Sequence, residues 1–260
     1  MAGEEGIRLS LAGAQDKIAV HVAEGKISVP LNGAPSTHIL KPAIAHFEGV
    51  VFNEARCMKL ATAIGLSAAG VATGNTDGID YLLVERYDRK ITGDTVKRLH
   101  QEDFCQALAI PSEIKYQSEG GPSLKDCFAL VRQVSSAPVL DLQRLLDAVI
   151  FNYLVGNNDA HGKNFSFIYD HEAKTARLAP LYDIVCTAWY PELSKKMAMK
   201  IGGEYNCNMV LPRHFEKLAA EAGLAKPLVR RRVPELAEAV MTGLEKAAIE
   251  HPVFLITAHL

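Results

Sequence analysis

Short apolar segments alternate with turn residues along the first ninety positions. Lys17 to Ala23, Thr37 to Lys41 and Tyr81 to Arg86 read as strands, and Gly25, Asn32-Gly33, Asn75 and Asp77-Gly78 break the chain between them. One stretch keeps a different period. From Asn53 to Ile64 the positions Ala55, Met58, Ala61 and Ala63-Ile64 recur at helical spacing, which predicts a helix capped by Asn53 and stopped at Gly65. Beyond about residue 95 helical periods take over, in Gln101 to Ala109, Ser123 to Val134, Asp141 to Val155, Pro212 to Ala222 and Leu228 to Ala248. A Gly/Ser/Pro loop, Tyr116 to Pro122, separates the first two. Two β-like stretches, Asn164 to Tyr169 and Ala176 to Ala179, are joined by an Asp170-His171 turn. The expected architecture is α+β in two lobes, a small β-rich lobe over residues 1–90 and a larger helical lobe over 91–260, with a cleft between them.

Composition narrows the class without changing that picture. With 48% hydrophobic and 22% charged residues, the 260-residue chain matches a soluble globular protein able to bury a substantial core. Lys and Arg number 28 against 30 Asp and Glu, so there is no overall positive field to hold nucleic acid, and any DNA contact is expected to be indirect. Cys57, Cys105, Cys127, Cys186 and Cys207 are odd in number and lack a C-x-x-C pair, which argues for reduced thiols in a cytoplasm. The apolar run Val149 to Val155 is broken by Asn152 and falls far short of the roughly 20 residues that span a membrane. The N-terminus, with Glu4 and Glu5, does not read as a signal peptide.

Candidate chemistry concentrates in Gly156 to Phe165, a polar loop directly after an apolar helix. Asp159 and Asn164 stand in the D-x-x-x-x-N relation in which protein kinases place a proton-accepting aspartate and a magnesium-binding asparagine. Asp183, in Leu181-Tyr182-Asp183-Ile184, follows the hairpin and could bring a second metal-binding carboxylate back toward Asn164. Lys41 ends an apolar strand before Pro42, and Glu54 opens the next helix; a lysine and glutamate so placed can pair to aim the ammonium at nucleotide phosphates. Read singly, Lys41 is a solvated strand end and Glu54 a favourable charge at a helix N-terminus. Ser10 to Lys17 is a run of small residues before a strand, suited to close approach of phosphate, although it has one glycine rather than several. Leu83 to Arg89 reads as an interlobe hinge whose backbone could pair with adenine while Tyr87 packs on the ring. Trp189 and the Tyr190-Pro191 segment are expected to pack in the core.

Together these residues resemble the kinase core of the HipA family, bacterial serine/threonine kinases that act as toxins of toxin–antitoxin modules. The matching stretches are S-L-A-G-A-Q-D-K (Ser10 to Lys17), T-H-I-L-K-P (Thr37 to Pro42), N-E (Asn53-Glu54), L-V-E-R-Y-D-R (Leu83 to Arg89), L-H-Q-E-D-F-C-Q (Leu99 to Gln106), K-Y-Q-S-E-G-G-P (Lys115 to Pro122), N-D-A-H-G-K-N-F (Asn158 to Phe165), L-Y-D-I (Leu181 to Ile184) and P-R-H-F (Pro212 to Phe215). They fall in family order over nearly the whole chain.

The resemblance implies a two-lobed protein-kinase-like fold and an ATP- and magnesium-dependent phosphotransferase. It makes Asp159 the catalytic base, Asn164 and Asp183 the metal ligands, and Lys41, paired with Glu54, the phosphate-binding lysine. Ala12, Gly13, Ala14, Gln15, Asp16 and Lys17 become the loop over the phosphates, bordered by His161 and Lys163. Glu85, Arg86, Tyr87 and Tyr182 join the nucleotide site, and Ser10 matches the family's autophosphorylated serine. The implied substrate is a serine in a translation factor such as an aminoacyl-tRNA synthetase. The implied partner is a helix-turn-helix antitoxin, with DNA reached only through it; since nine residues precede Ser10, the chain is expected to be either a short split-module toxin, whose N-terminal subdomain is a small separate protein, or a truncated form. The segment from Lys41 to Asn53, where the family carries its activation loop, is short here. Two other classes share these residues: a catalytically weak binding subunit acting in operon repression, and a small-molecule kinase using the same cleft.

Overall fold

The structure, a computed structural model, describes residues 16–32, 34–93 and 95–246. Its first layer is an antiparallel sheet of β1 (Ile18–Ala23), β2 (Lys26–Ser28), β3 (His38–Pro42), β4 (Val71–Thr76) and β5 (Ile79–Glu85), in the order β2-β1-β3-β5-β4. The three strands expected from the sequence are its centre. β2 and β4 are edge strands, fully exposed and half-buried respectively, so neither carries an apolar signature. Lys41 lies opposite Leu82 in the ladder, and Pro42, which has no N–H to donate, is its last residue.

Helix α1 (Val50–Ala63) packs on β4 and β5. It ends at the expected place, with Gly65 at φ 83°, but begins earlier than expected, after Gly49 at φ 67°. Asn53 is not its cap. The Asn53 side chain leaves the helix to donate to the Cys186 carbonyl (3.0 Å) and accept from the Cys186 N–H (2.8 Å), a use that no local pattern reveals.

A hairpin of β6 (Arg89–Thr92) and β7 (Thr95–Arg98) leads to β8 (His100–Asp103) and α2 (Phe104–Ala107). This corrects the single helix expected over 101–109. Gln101, Glu102 and Asp103 pair with Ile168, Phe167 and Ser166, more than sixty residues away, so the period alone could not identify the strand. Asp103 then caps α2 by accepting from the Gln106 N–H at 2.8 Å. Helix α3 (Leu124–Val134) starts at Ser123, which forms a reciprocal cap with Asp126, and α4 (Pro138–Leu154) runs through the centre of the core. The three-stranded sheet β10-β9-β8 is completed by β9 (Ser166–Asp170) and β10 (Thr175–Leu178), the two strands read from the sequence. The remaining elements are β11 (Lys196–Ile201), β12 (Glu204–Asn206), α5 (Pro212–Glu221) and α6 (Lys226–Lys246).

One hydrophobic cluster unites these parts. Phe104, Phe128, Phe151, Phe167, Met58 and Leu82 are all fully buried in it. α6 crosses α1 at Gly243, where an added Cβ would fall 2.6 Å from Ile64 Cγ2, so the C-terminal helix braces the helix that carries Glu54. The five cysteines are buried and free. Among the described residues no helix is long and apolar enough to cross a membrane. Trp189 is exposed, contrary to expectation: it ends a 3-10 turn, and the buried place against Phe47 goes to Tyr190, whose ring centroid lies 5.2 Å away.

Asp141 stands out as a fully buried carboxylate. It accepts from Ser135 Oγ (2.6 Å), the Leu178 N–H (3.0 Å), Arg144 Nη1 (3.1 Å) and, through both oxygens, Arg177 Nε (2.9 Å) and Nη2 (3.0 Å). Burial opposes its charge, but these donors, Arg177 first, hold its pKa down at about 2. The stabilisation is therefore complete above the ordinary carboxylate range and is lost as pH falls toward 2. Asp141→Ala is expected to cost roughly 2–4 kcal/mol by leaving the Ser135 hydroxyl and the Leu178 N–H without their buried acceptor, and to flatten the acid side of the stability curve. Urea midpoints between pH 7 and pH 3 check this; a midpoint within error of wild type at pH 7 would contradict it.

Candidate active site

Lys41 sits at the end of a central strand and Glu54 one turn into α1, and the packing of α1 on the sheet brings them together. Lys41 Nζ donates to Glu54 Oε1 at 2.7 Å and to Asp183 Oδ1 at 2.7 Å. The second Asp183 oxygen accepts from Asn164 Nδ2 at 3.2 Å. Four residues distant in sequence thus form one chain of polar contacts. Desolvation works against the Lys41 charge, but Asp183 and Glu54 overcome it and raise the pKa, so the ammonium stays charged. Burial likewise opposes the Asp183 charge, and Lys41 outweighs it and keeps the carboxyl below its ordinary range.

Asp183 adopts φ 58°, a left-handed conformation that is uncommon outside glycine and collects at functional sites. The segment before it is anchored to the first sheet layer, since the Leu181 N–H donates to the Ser67 carbonyl (2.8 Å) and the Ala69 N–H to the Leu181 carbonyl (2.8 Å). The segment after it is held through Cys186 by Asn53. The Asn53 clamp thus joins the helix of Glu54 to the loop of Asp183, a role that its expected place as a helix cap did not suggest.

The polar loop after α4 is held with similar economy. Asn152, which breaks the apolar run, donates to the Ala148 carbonyl (2.8 Å) and accepts from Asn157 Nδ2 (2.7 Å), tying the helix end to the loop. Asn157 Oδ1 then accepts from the Asp159 N–H at 3.1 Å. A 3-10 turn over Gly162–Asn164 follows, in which Asn164 Oδ1 accepts from the His161 N–H at 3.0 Å. Asp159 has no hydrogen bond to the four-residue chain; one of its oxygens accepts from Tyr116 OH at 2.7 Å. Lys115 feels the charges of both Asp159 and Asp183, so both carboxylates lie within electrostatic reach of one cationic group. His161 is buried, and among the described residues neither ring nitrogen has a hydrogen-bond partner. Burial, aided by Lys115, pushes its pKa down to about 3, so the ring is neutral near pH 7.

A cleft of about 230 Å³ opens beside Lys41 and Asp183, walled by Lys17, Ile39, Val84 and the segment Glu85 to Asp88. Its floor is a network of phenols. Tyr87 OH donates to Gln101 Oε1 (2.6 Å), the Tyr87 and Tyr182 rings lie 5.3 Å apart, and Tyr182 OH donates to the Lys163 carbonyl (2.6 Å). Burial pushes Tyr87 up to about 12, so it remains a donor. The Arg86 guanidinium is engaged by Asp88 (3.0 and 2.9 Å), and Arg89 joins the same carboxylate at 2.6 Å, which staples the segment after β5 in place. Lys163 borders the network through its backbone. Asp16 is exposed, and Ser10, Ala12, Gly13, Ala14 and Gln15 lie outside the described residues.

Asp183 and Asn164 offer only hard oxygen donors, the chemistry that magnesium prefers, and Asn164 Oδ1 keeps a second lone pair beyond its bond to His161. Among the described residues no cluster of three or more His, Cys, Asp or Glu offers an all-protein metal cage, and magnesium shared with nucleotide phosphates does not require one.

A small antiparallel sheet over a helical body, with a lysine, glutamate and aspartate meeting at the cleft, defines a protein-kinase-like α+β fold. The structure of the Helicobacter pylori proinflammatory kinase CtkA shares it, with a TM-score of 0.50 at 14% identity, over 88% of this chain and 96% of that one. The chain belongs to the HipA-like C-terminal domain family, whose model matches residues 9–244. It is 52% identical over 250 residues to the protein Y4mE of Sinorhizobium fredii, covering 94% of this chain and 59% of that one. It is 31% identical over 255 residues to the serine/threonine-protein kinase toxin HipA of Shewanella oneidensis, covering 90% of this chain and 58% of HipA. The structure of that organism's HipA, in a complex with HipB and operator DNA, superposes with a TM-score of 0.87 at 28% identity, over 98% of this chain and 61% of HipA. The chain therefore spans about 60% of the length of these relatives.

Proposed function

We propose that the chain is the catalytic core of an ATP- and magnesium-dependent serine/threonine protein kinase acting as the toxin of a toxin–antitoxin system. The observation that carries this reading is the polar chain Glu54, Lys41, Asp183, Asn164, whose Lys41 and Asp183 line the cleft. In this reading residues 1–90 and 91–260 are the two lobes. Adenine lies along Glu85, Arg86, Tyr87 and Tyr182, and the phosphates lie between Lys41 and the loop Ala12 to Lys17, bordered by His161 and Lys163. The ring nitrogens of His161, without a partner among the described residues, support that last placement, because a phosphate oxygen could accept from the one N–H of the neutral ring. Magnesium held by Asn164 and Asp183 would neutralise phosphate charge.

Asp159 accepts the proton of the serine hydroxyl as the serine oxygen bonds to the γ-phosphorus and the bond to the ADP oxygen breaks. Lys41, fixed by Glu54, meets charge on the phosphates without reorganising. Ser10 is the proposed autophosphorylation site. The substrate is a serine of a translation factor such as an aminoacyl-tRNA synthetase. A helix-turn-helix antitoxin neutralises the kinase in the cytoplasm and reaches operator DNA on its behalf. The antitoxin reading is supported by the relative's complex with HipB and operator DNA.

The test is a melting experiment coupled to label transfer. ATP with magnesium at about a hundredfold its Kd should raise the midpoint by roughly 5–10 °C, and γ-labelled ATP should mark serine in the chain itself or in host proteins. No shift and no label would remove the proposal.

A further inference from the structure

We infer that Tyr116 is a positioning residue that fixes the direction of the Asp159 carboxylate, an inference that rests on the kinase reading above. Its phenol donates to Asp159 Oδ1 at 2.7 Å across 43 residues of sequence. A hydrogen bond to a carboxylate is shorter and stronger than one between neutral groups, so it can hold a rotamer that a loop aspartate would otherwise leave open.

The phenol is itself aimed by contacts that do not involve Asp159. Its residue is 9% exposed, and the His161 ring meets it edge to face, with centroids 5.6 Å apart. Lys115 Nζ stands 5.3 Å from the ring centroid. The Tyr116 carbonyl accepts the N–H groups of Glu119 (2.9 Å) and Gly121 (2.9 Å), closing a tight turn. A Cβ on Gly121 would lie 2.7 Å from Lys115 C and 2.8 Å from Tyr116 O, so only glycine permits this turn.

Two further contacts anchor the segment. Gln117 Oε1 accepts the Lys200 N–H of β11 at 2.8 Å. At the other end, Pro122 lies against the loop of Asp159 itself: a Cβ on Gly162 would fall 2.5 Å from Pro122 Cγ. The turn is thus fastened to β11 and to the polar loop, and the phenol points along a fixed line. Asp159 is held at its backbone by Asn157 Oδ1 and at one side-chain oxygen by Tyr116. With one oxygen fixed, the direction of the other is fixed too, and the proton acceptor stands aimed before the acceptor hydroxyl arrives.

Tyr116→Phe keeps the ring and removes the O–H, and it separates this role from simple packing. Expected are a fall in kcat of about 10- to 100-fold, an unchanged KM for ATP, an unchanged nucleotide-induced rise in melting midpoint, and a midpoint without nucleotide lowered by no more than a few degrees. Label transfer by the double variant Tyr116→Phe/Asp159→Asn should equal that of Asp159→Asn alone, because residues acting through one another are not additive. A wild-type kcat in Tyr116→Phe, a KM that rises as kcat falls, or a further loss in the double variant overturns the inference while leaving the kinase reading intact. Wild-type transfer by Asp159→Asn would instead overturn the kinase reading, and the inference with it.

Discussion

Replacing Asp159 by asparagine is expected to slow phosphoryl transfer about 10³-fold while leaving nucleotide binding untouched. The amide has nearly the shape of the carboxylate and can still accept from Tyr116, but it takes no proton from a hydroxyl. Asp159 is not hydrogen-bonded to Lys41, Asp183 or Asn164, so its loss leaves their contacts in place. Rates with labelled ATP, set beside melting midpoints with and without ATP and magnesium, separate chemistry from binding. Transfer within threefold of wild type would remove Asp159 from the reaction.

Asp183→Asn is expected to act on both. The carboxylate meets Lys41 at 2.7 Å and Asn164 at 3.2 Å, and an amide in its place brings no negative charge to either lysine or metal. Transfer should fall at least about 10³-fold through lost electrostatic stabilisation, and the magnesium-dependent part of the nucleotide-induced midpoint rise should vanish. Asparagine is the suitable replacement, because it tolerates the left-handed backbone at φ 58° better than other residues with a side chain. The variant should therefore fold, with its nucleotide-free melting midpoint within a few degrees of wild type. A magnesium-dependent rise persisting in Asp183→Asn would place the metal elsewhere.

The contrast between the two variants comes from where the side chains lie. Asp183 belongs to the contact chain at the cleft wall and Asp159 faces Tyr116, although in sequence both read as acidic residues of polar loops. The same limit explains the two misread segments. Over 101–109 the chain has a composition compatible with helix, and the pairing that makes Gln101 to Asp103 a strand comes from Ile168 to Ser166. At Asn53 a residue suited to capping stands near a helix start, but its amide has two backbone partners at Cys186 across the molecule. Where the deciding interaction was local the reading held: Ser123 starts α3 with Asp126 as its reciprocal partner, and Gly65 ends α1.

By itself, the sequence determined the α+β class, the central strands, the long helices and a set of acidic, amide and lysine residues at spacings suited to phosphoryl transfer. Those features are set by local periodicity and by which functional groups the chain carries. Only the tertiary structure decided that Lys41 bridges Glu54 and Asp183, that Asn53 clamps the loop beyond Asp183, and that Tyr116 holds Asp159. These contacts join residues from 13 to 142 positions apart, and such contacts exist only after the sheet, α1 and the polar loop have packed on one core.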